Sequence, residues 1–198
     1  MNYSIDPLCL QVLKAYTIGV FPMGNKNDEL DWYCPSKRCV FFLDEFRYHK
    51  RLDRKIKKNI FDIRVNENFK LTMQKCANRP DTWITPQIYD IYTKLNEYGY
   101  AHSVEAYFGG ELVGGLYGVS IAGAFMGESM FHTQTDASKV CLVYLVERLK
   151  SKGFIILDCQ FATSHLQSFG AKIITHDEYI EILNKALTLN VNFLDKVY

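Results

Sequence analysis

The side chains best suited to chemistry lie in two short stretches of the second half of the chain. Asp158 and Gln160 stand two residues apart at the end of the apolar run Phe154 to Asp158. In a strand that spacing sends both side chains to one face. A carboxylate beside an amide can orient an attacking group's proton and polarise the amide without being a nucleophile itself. The same pair can equally be a strand end stapled by polar side chains. Glu128 sits inside the apolar run Ala124 to Phe131, where a carboxylate must be paired or functional. It can hold an ammonium group or a ribose hydroxyl, or cap a nearby backbone. Trp83, Trp32 and Tyr33 offer faces on which a base can stack. With aromatics at 14% of the chain, a ring taken singly is more often core than platform.

Other chemistries find less support. His102, His132 and His165 form no Ser-His-Asp or Cys-His arrangement that a sequence can establish. The six cysteines (Cys9, Cys34, Cys39, Cys76, Cys141, Cys159) are scattered without a Cys-x-x-Cys pair, so no metal site and no redox motif is expected. Gln167-x-x-Gly170 resembles half of an acyl-CoA pyrophosphate loop. Lys172 occupies the third small-residue position, and the segment leads into a strand rather than a helix.

Charge is balanced globally and lopsided locally. From Arg47 to Lys58 seven basic side chains face the single acid Asp53, so this window carries +6 and the rest of the chain −5 of a net +1. Arg47, Lys50, Arg51, Arg54, Lys55 and Lys58 keep the spacing of one helix face, and Tyr48, Leu52 and Ile56 form the opposite apolar stripe. A solvated helix face is one reading. A phosphate-rich partner is the other, because clustered like charge repels itself unless a polyanion discharges it. Contacts to phosphate alone would be sequence-blind and weaken steeply with salt.

These groups must be positioned by a recognisable series of elements. Leu8 to Ile18 reads as a helix closed by Gly19, and Phe21 to Asp31 as a loop rich in Pro, Gly, Asn and Asp. Cys39 to Leu43 reads as a buried strand. The basic helix follows, then a strand around Phe61 to Val65 and a helix from Asn68 to Ala77. Thr85-Pro86 is a cap-plus-first-residue signal for a helix that Gly99 stops. Ala101 to Phe108, Glu111 to Val119 and Gly123 to Phe131 form an antiparallel meander whose first turn is Gly109-Gly110. A helix from Asp136 to Lys150 ends near Gly153. Phe154 to Asp158 is a buried strand, with a short helix around His165 after it. Ala171 to Thr175 is the last strand, and Thr175-x-x-Glu178 is a capping box opening a terminal helix. The order implies an α+β fold with helices against a mixed sheet, and a break near Pro35 separates a small N-terminal piece (1–36) from the main body (37–198).

At 198 residues and 48% hydrophobic the chain can bury a substantial core. No run approaches the ~18 apolar residues of a membrane span, and the N-terminus lacks the layout of a signal peptide. The expectation is a cytoplasmic protein with free thiols.

The sequence resembles the leucyl/phenylalanyl-tRNA–protein transferases along most of its length. The resemblance runs in order through Ala15-Tyr16-x-x-Gly19-x-Phe21-Pro22, Trp32-Tyr33-x-Pro35 with Arg38, Thr82-Trp83-Ile84-Thr85 and Gly99-Tyr100-Ala101-His102-Ser103-Val104-Glu105. It continues through Leu112-Val113-Gly114-Gly115-Leu116-Tyr117-Gly118-Val119, Gly127-Glu128-Ser129-Met130-Phe131, Ala137-Ser138-Lys139, Leu157-Asp158-x-Gln160 and Ser168-Phe169-Gly170-Ala171. The resemblance implies a GNAT-like acyltransferase fold behind a small N-terminal domain. It also implies transfer of Leu or Phe from aminoacyl-tRNA to the N-terminal Arg or Lys of a protein, marking it for degradation. Aminolysis of an aminoacyl ester needs no metal or redox cofactor, so no cofactor is expected, and a monomer is expected.

By the same resemblance Asp158 and Gln160 are the catalytic pair, and Glu128, Trp83, Met23 and Ser129 bind the aminoacyl-adenosine end. Leu116, Phe125, Leu142, Leu145 and Leu157 match the lining of the Leu/Phe side-chain pocket. Lys50, Arg54, Lys57 and Lys58 fall where the family contacts the tRNA backbone. After Phe21-Pro22 the family usually has tryptophan, where this chain has Met23, and the N-terminal segment is abbreviated. The rival readings are an acyl-CoA-dependent N-acetyltransferase on a similar fold and a non-catalytic tRNA-binding module.

Overall fold

The computed structural model describes residues 5–195. Its first element, α1 (Pro7–Thr17), begins where the Asp6 carboxylate accepts from the amides of Leu8 and Cys9 at 2.9 and 3.3 Å, with Pro7 in the first helical position. Gly19, at φ +78°, closes it.

The segment expected to be a loop is instead a hairpin of β1 (Phe21–Gly24) and β2 (Leu30–Tyr33), paired Phe21 with Tyr33 and Met23 with Asp31. Its turn is built by Asn25, whose side-chain oxygen accepts from the amides of Asn27 and Glu29 at 2.9 and 3.1 Å. Pro22 is tolerated because this two-stranded sheet consists of edges alone. Gly24 is there for a close approach. Its amide donates to the Trp83 carbonyl at 3.1 Å, and a Cβ would meet Thr85 Cγ2 at 2.4 Å.

The main body follows the expected order. It comprises β3 (Lys37–Phe42), a 3-10 turn at Leu43–Glu45, α2 (Lys50–Lys57), β4 (Asp62–Val65), α3 (Phe69–Ala77) and α4 (Pro86–Glu97). Next come β5 (Ala101–Phe108), β6 (Glu111–Ile121), β7 (Ala124–His132), α5 (Ala137–Lys152), β8 (Ile156–Asp158), α6 (Ser164–Ser168), β9 (Lys172–Thr175) and α7 (His176–Leu187). Asn68 caps α3, Thr85 caps α4, and the Thr175–Glu178 capping box opens α7.

Seven strands form one mixed sheet in the order β4-β5-β6-β7-β8-β3-β9. Every pair is antiparallel except β7–β8, which α5 connects as the crossover a parallel pair requires. One face of the sheet packs Val40, Tyr117, Val119 and Met126 against α1, α3, α4 and α7. The other packs Phe41, Val104, Leu116, Phe125 and Leu157 chiefly against α5, with Leu52 of α2 in the same cluster. This is the expected α+β architecture, a sheet between two helical layers.

The parallel pair matters most for the site. Pairing of β7 with β8 ends at Met126 opposite Asp158, while β7 runs on to His132. On its other side β7 pairs Gly127 with Gly118 and Ser129 with Tyr117, so Glu128 is the extra residue of a β-bulge. The sheet is irregular on both sides at the same level.

Candidate active site

The bulge re-aims Glu128 toward the α1/α4 layer. Its Oε1 accepts from the Tyr16 hydroxyl at 2.6 Å and from Gln160 Nε2 at 3.1 Å, and its Oε2 from the Tyr92 hydroxyl at 3.4 Å. Tyr16 and Tyr92 also bond each other through their hydroxyls. Burial pushes the Glu128 carboxyl up to about 8, and the Asp158 charge adds to that rise. The Tyr16 hydrogen bond and the Arg38 cation oppose it. Burial also holds both tyrosine hydroxyls well above their ordinary range, so they stay protonated donors.

Gln160 has left the strand. Its backbone lies in the left-handed region at φ +55°, a conformation that costs a non-glycine residue about 1–3 kcal/mol. Three bonds hold it there. Its amide donates to Asp158 Oδ1 at 2.9 Å, its carbonyl accepts from the Cys39 amide at 3.0 Å, and its side chain reaches Glu128.

Asp158 itself faces other partners. Arg38, on β3, sets Nε against Oδ1 and Oδ2 at 2.9 and 3.1 Å and Nη2 against Oδ2 at 2.7 Å. The Tyr179 hydroxyl adds a bond to Oδ2 at 2.9 Å. Arg38 and Asp158 are both fully buried. The guanidinium lies between the rings of Phe21 and Tyr179, 4.7 and 4.5 Å from their centroids, and donates to the Gly19 carbonyl at 3.1 Å. Strand alternation therefore does not carry Asp158 and Gln160 to a common face: the strand ends at Asp158 and the next turn is left-handed. The Asp158 carboxylate is spent on the framework that holds Gln160.

Above Glu128 and Gln160 opens a cavity of about 630 Å³. Leu116, Leu142, Leu145 and Leu157 supply apolar lining from the α5 layer. Met23 and Trp83 line it from the hairpin and from the loop before α4, and Ser129, which accepts from Arg79 at 3.2 Å, lines it from β7. A carboxyl and an amide beside a leucine-lined recess, with an aromatic ring and a thioether alongside, suit an aliphatic or aromatic acyl group joined to a polar, stackable carrier.

Residues 40–184 match the family described as leucyl/phenylalanyl-tRNA protein transferase, and residues 10–36 match the family described as its N-terminal domain. The chain belongs to the leucyl/phenylalanyl-tRNA–protein transferase family. The leucyl/phenylalanyl-tRNA–protein transferase of Cereibacter sphaeroides is 44% identical over 94% of this chain and 88% of its own. The protein of that name from Herpetosiphon aurantiacus is 47% identical over 98% of this chain and 100% of its own. Among solved structures, L-PGS from Bacillus licheniformis resembles the chain with a TM-score of 0.51 at 10% identity, over 85% of this chain and 66% of that one, a likeness of fold alone.

The transferase thus gathers nine of the expected site residues around one cavity: Glu128, Gln160, Ser129, Trp83, Met23, Leu116, Leu142, Leu145 and Leu157. Two are displaced from it. Asp158 lies in the ion pair with Arg38, and Phe125 is fully buried against Phe193, with centroids 5.2 Å apart. His102 is a core residue stacked on Phe193, whereas His132 and His165 line the cavity.

On α2 of the transferase Lys50, Arg54 and Lys57 are exposed, as is Lys58 at its C-terminal cap. Lys57 pairs with Asp53 at 2.8 Å, and among the described residues Lys50, Arg54 and Lys58 make no ion pair. Lys55 turns inward to Asp136 at 2.7 Å, and Asp136 also holds Lys139 of the cavity wall at 2.9 Å, so the basic helix is tied to the cavity through one carboxylate.

Sequence reasoning missed Tyr92, Arg38 and Tyr179 as parts of this framework. The available signal was a cation, Arg38, at the head of an apolar strand, which had to find an anion.

Proposed function

We propose that this protein transfers Leu or Phe from its tRNA to the N-terminal Arg or Lys of acceptor proteins, and that the product is thereby marked for degradation. The observation that carries the reading is the convergence of Glu128 and Gln160 on a cavity walled by four leucines. In the reaction the acceptor's α-amine forms a C–N bond to the aminoacyl carbon, the ester C–O bond breaks, and one amine proton ends on the ribose oxygen of the released tRNA. This aminolysis is downhill, so the protein's task is to position the reactants and orient the amine.

In this reading Gln160 is the catalytic residue. Its Nε2 is committed to Glu128, and its amide oxygen, which has no partner among the described residues, accepts an N–H of the attacking amine. Asp158 acts as a positioning residue through the Gln160 backbone. Glu128 and Ser129 hold the aminoacyl-adenosine end, and Trp83 with Met23 flanks the adenine. The leucines take the Leu or Phe side chain. A recess of this kind separates side chains differing by one methylene by only ~1–3 kcal/mol, so Met is a third donor.

The exposed cations of α2 follow the tRNA backbone. Six free cysteines suit a reducing cytoplasm. We assign residues 37–198 to a GNAT-like catalytic domain behind a small N-terminal domain, because the β7–β8 pair parts at a bulge and leaves room for an acyl group.

The test is transfer of radiolabelled leucine from charged tRNA to a peptide beginning with Arg, beside one beginning with Asp. Labelling of the Arg peptide alone is expected. Labelling of the Asp peptide overturns the acceptor assignment, and labelling of neither overturns the transfer.

A further inference from the structure

One side of the cavity carries aromatic surface that the donor does not account for. Phe161, next to Gln160 in the chain, lines the cavity and is 49% exposed. It rests edge-on against Phe21 with centroids 5.8 Å apart, and Tyr33 stacks on the same Phe21 at 6.0 Å. Cross-strand pairing of Phe21 with Tyr33 and of Met23 with Asp31 puts these four side chains on one face of the hairpin. That face gives Phe21 and Met23 to the cavity. Tyr33 is 39% exposed and Asp31 is exposed, with Asn25 donating to one carboxylate oxygen at 3.1 Å.

An acceptor beginning with Arg or Lys must put a cation somewhere near Gln160. Among the described residues two acidic side chains line the cavity, and both are engaged. Asp136 is bound by Lys55 and Lys139, and Glu128 accepts from Tyr16, Tyr92 and Gln160. Ring faces remain. An aromatic face attracts guanidinium or ammonium through its quadrupole and covers the aliphatic stem that carries it. A carboxylate on the same face supplies the countercharge.

We propose that the exposed rings of Phe161 and Tyr33, with Asp31 on the same hairpin face, hold the cationic side chain of the acceptor's first residue. This rests on the transfer reaction proposed above and assigns its acceptor specificity to named residues.

The experiment uses the full chain, leucyl-tRNA, and two peptides identical except for a first residue of arginine or citrulline, which share a shape and differ in charge. Both peptides meet the same protein and the same charged tRNA, so defects of folding or tRNA binding cancel in the ratio of their kcat/KM values. The wild type favours arginine. In Phe161→Leu the ratio falls roughly 3- to 30-fold, the range of a cation–ring contact, and in Phe161→Tyr it stays within about twofold of the wild type. An unchanged ratio in Phe161→Leu, or an equal fall in both variants, overturns the subsite while leaving the reaction standing. A wild type that labels citrulline as readily as arginine overturns the acceptor assignment itself, and the subsite with it.

Discussion

Replacing Asp158 by Asn separates a carboxylate that acts on substrate from one that holds the framework. The substitution keeps the shape and removes the charge. It leaves the Arg38 guanidinium, fully buried, with the Gly19 carbonyl at 3.1 Å and the Tyr179 hydroxyl at 3.5 Å as its other hydrogen-bond partners. Breaking a buried pair in this way costs about 3–5 kcal/mol, because a charge remains without its counterion. At a urea slope of about 3 kcal/mol per molar, the unfolding midpoint drops by roughly 1 to 2 M. The double variant Arg38→Met/Asp158→Leu removes both charges and should recover most of that loss, since buried pairs are often replaceable by apolar residues of similar volume. It should not recover transfer. The Gln160 amide would have lost its acceptor, and with it one of the three bonds that hold a left-handed residue in place.

The assay is a urea titration followed by circular dichroism, paired with single-turnover transfer to an Arg-initiated peptide under conditions where each variant is folded. The expected pattern is a lowered midpoint and a slowed transfer in Asp158→Asn, then a restored midpoint and still slow transfer in the double variant. An Asp158→Asn protein with the wild-type midpoint and no transfer would refute the reasoning, because the carboxylate would then be acting on the reactants directly.

Two further predictions concern charge. The Glu128 carboxyl titrates at about 8 in the folded protein against an ordinary value of 4.5, so the unfolded chain gives up its proton first. The stability this group contributes is therefore full below about pH 4.5 and drains away as pH rises toward 8. Because Glu128→Gln does not titrate, the melting temperature of the wild type minus that of the variant should fall between pH 5 and 8, and a flat difference across that window would contradict the shift. Replacing Lys57 and Lys58 together with Ala should weaken tRNA binding and lower its logarithmic salt slope by roughly one to two, as expected for losing two phosphate contacts. Stability should move by less than about 0.5 kcal/mol, since these are exposed side chains and the one ion pair lost, Lys57 to Asp53, lies at the surface. A salt slope equal to the wild type's would remove α2 from the interface.

The sequence carried the fold wherever local chemistry decides an element. The Thr85 and Thr175 caps and the meander of three strands appear at the places their residues specify. It did not carry the β1–β2 hairpin, because Pro22 and Gly24 signal a break in isolation. The reason Gly24 is a glycine, the approach of Trp83 and Thr85, lies sixty residues away. The site divides along the same line. Glu128 was legible as a carboxylate in an apolar run. The orientation of Asp158 was not, because strand alternation cannot foresee that the strand stops there and that Gln160 turns left-handed.

What a sequence does contain is a matching problem. Each polar group lodged in an apolar element needs a partner, and the partners come from the same short set. Here Arg38 takes Asp158, with Tyr179 completing the shell, while Tyr16 and Tyr92 take Glu128. That division has an electrostatic consequence for function. The Arg38–Asp158 pair cancels itself, and Glu128 keeps its proton below a pH of about 8, so the buried framework is close to neutral near pH 7. In the transfer reaction proposed above, the aminoacyl ester's ammonium group meets that carboxyl, and a nearby cation favours the ionised form of an acid.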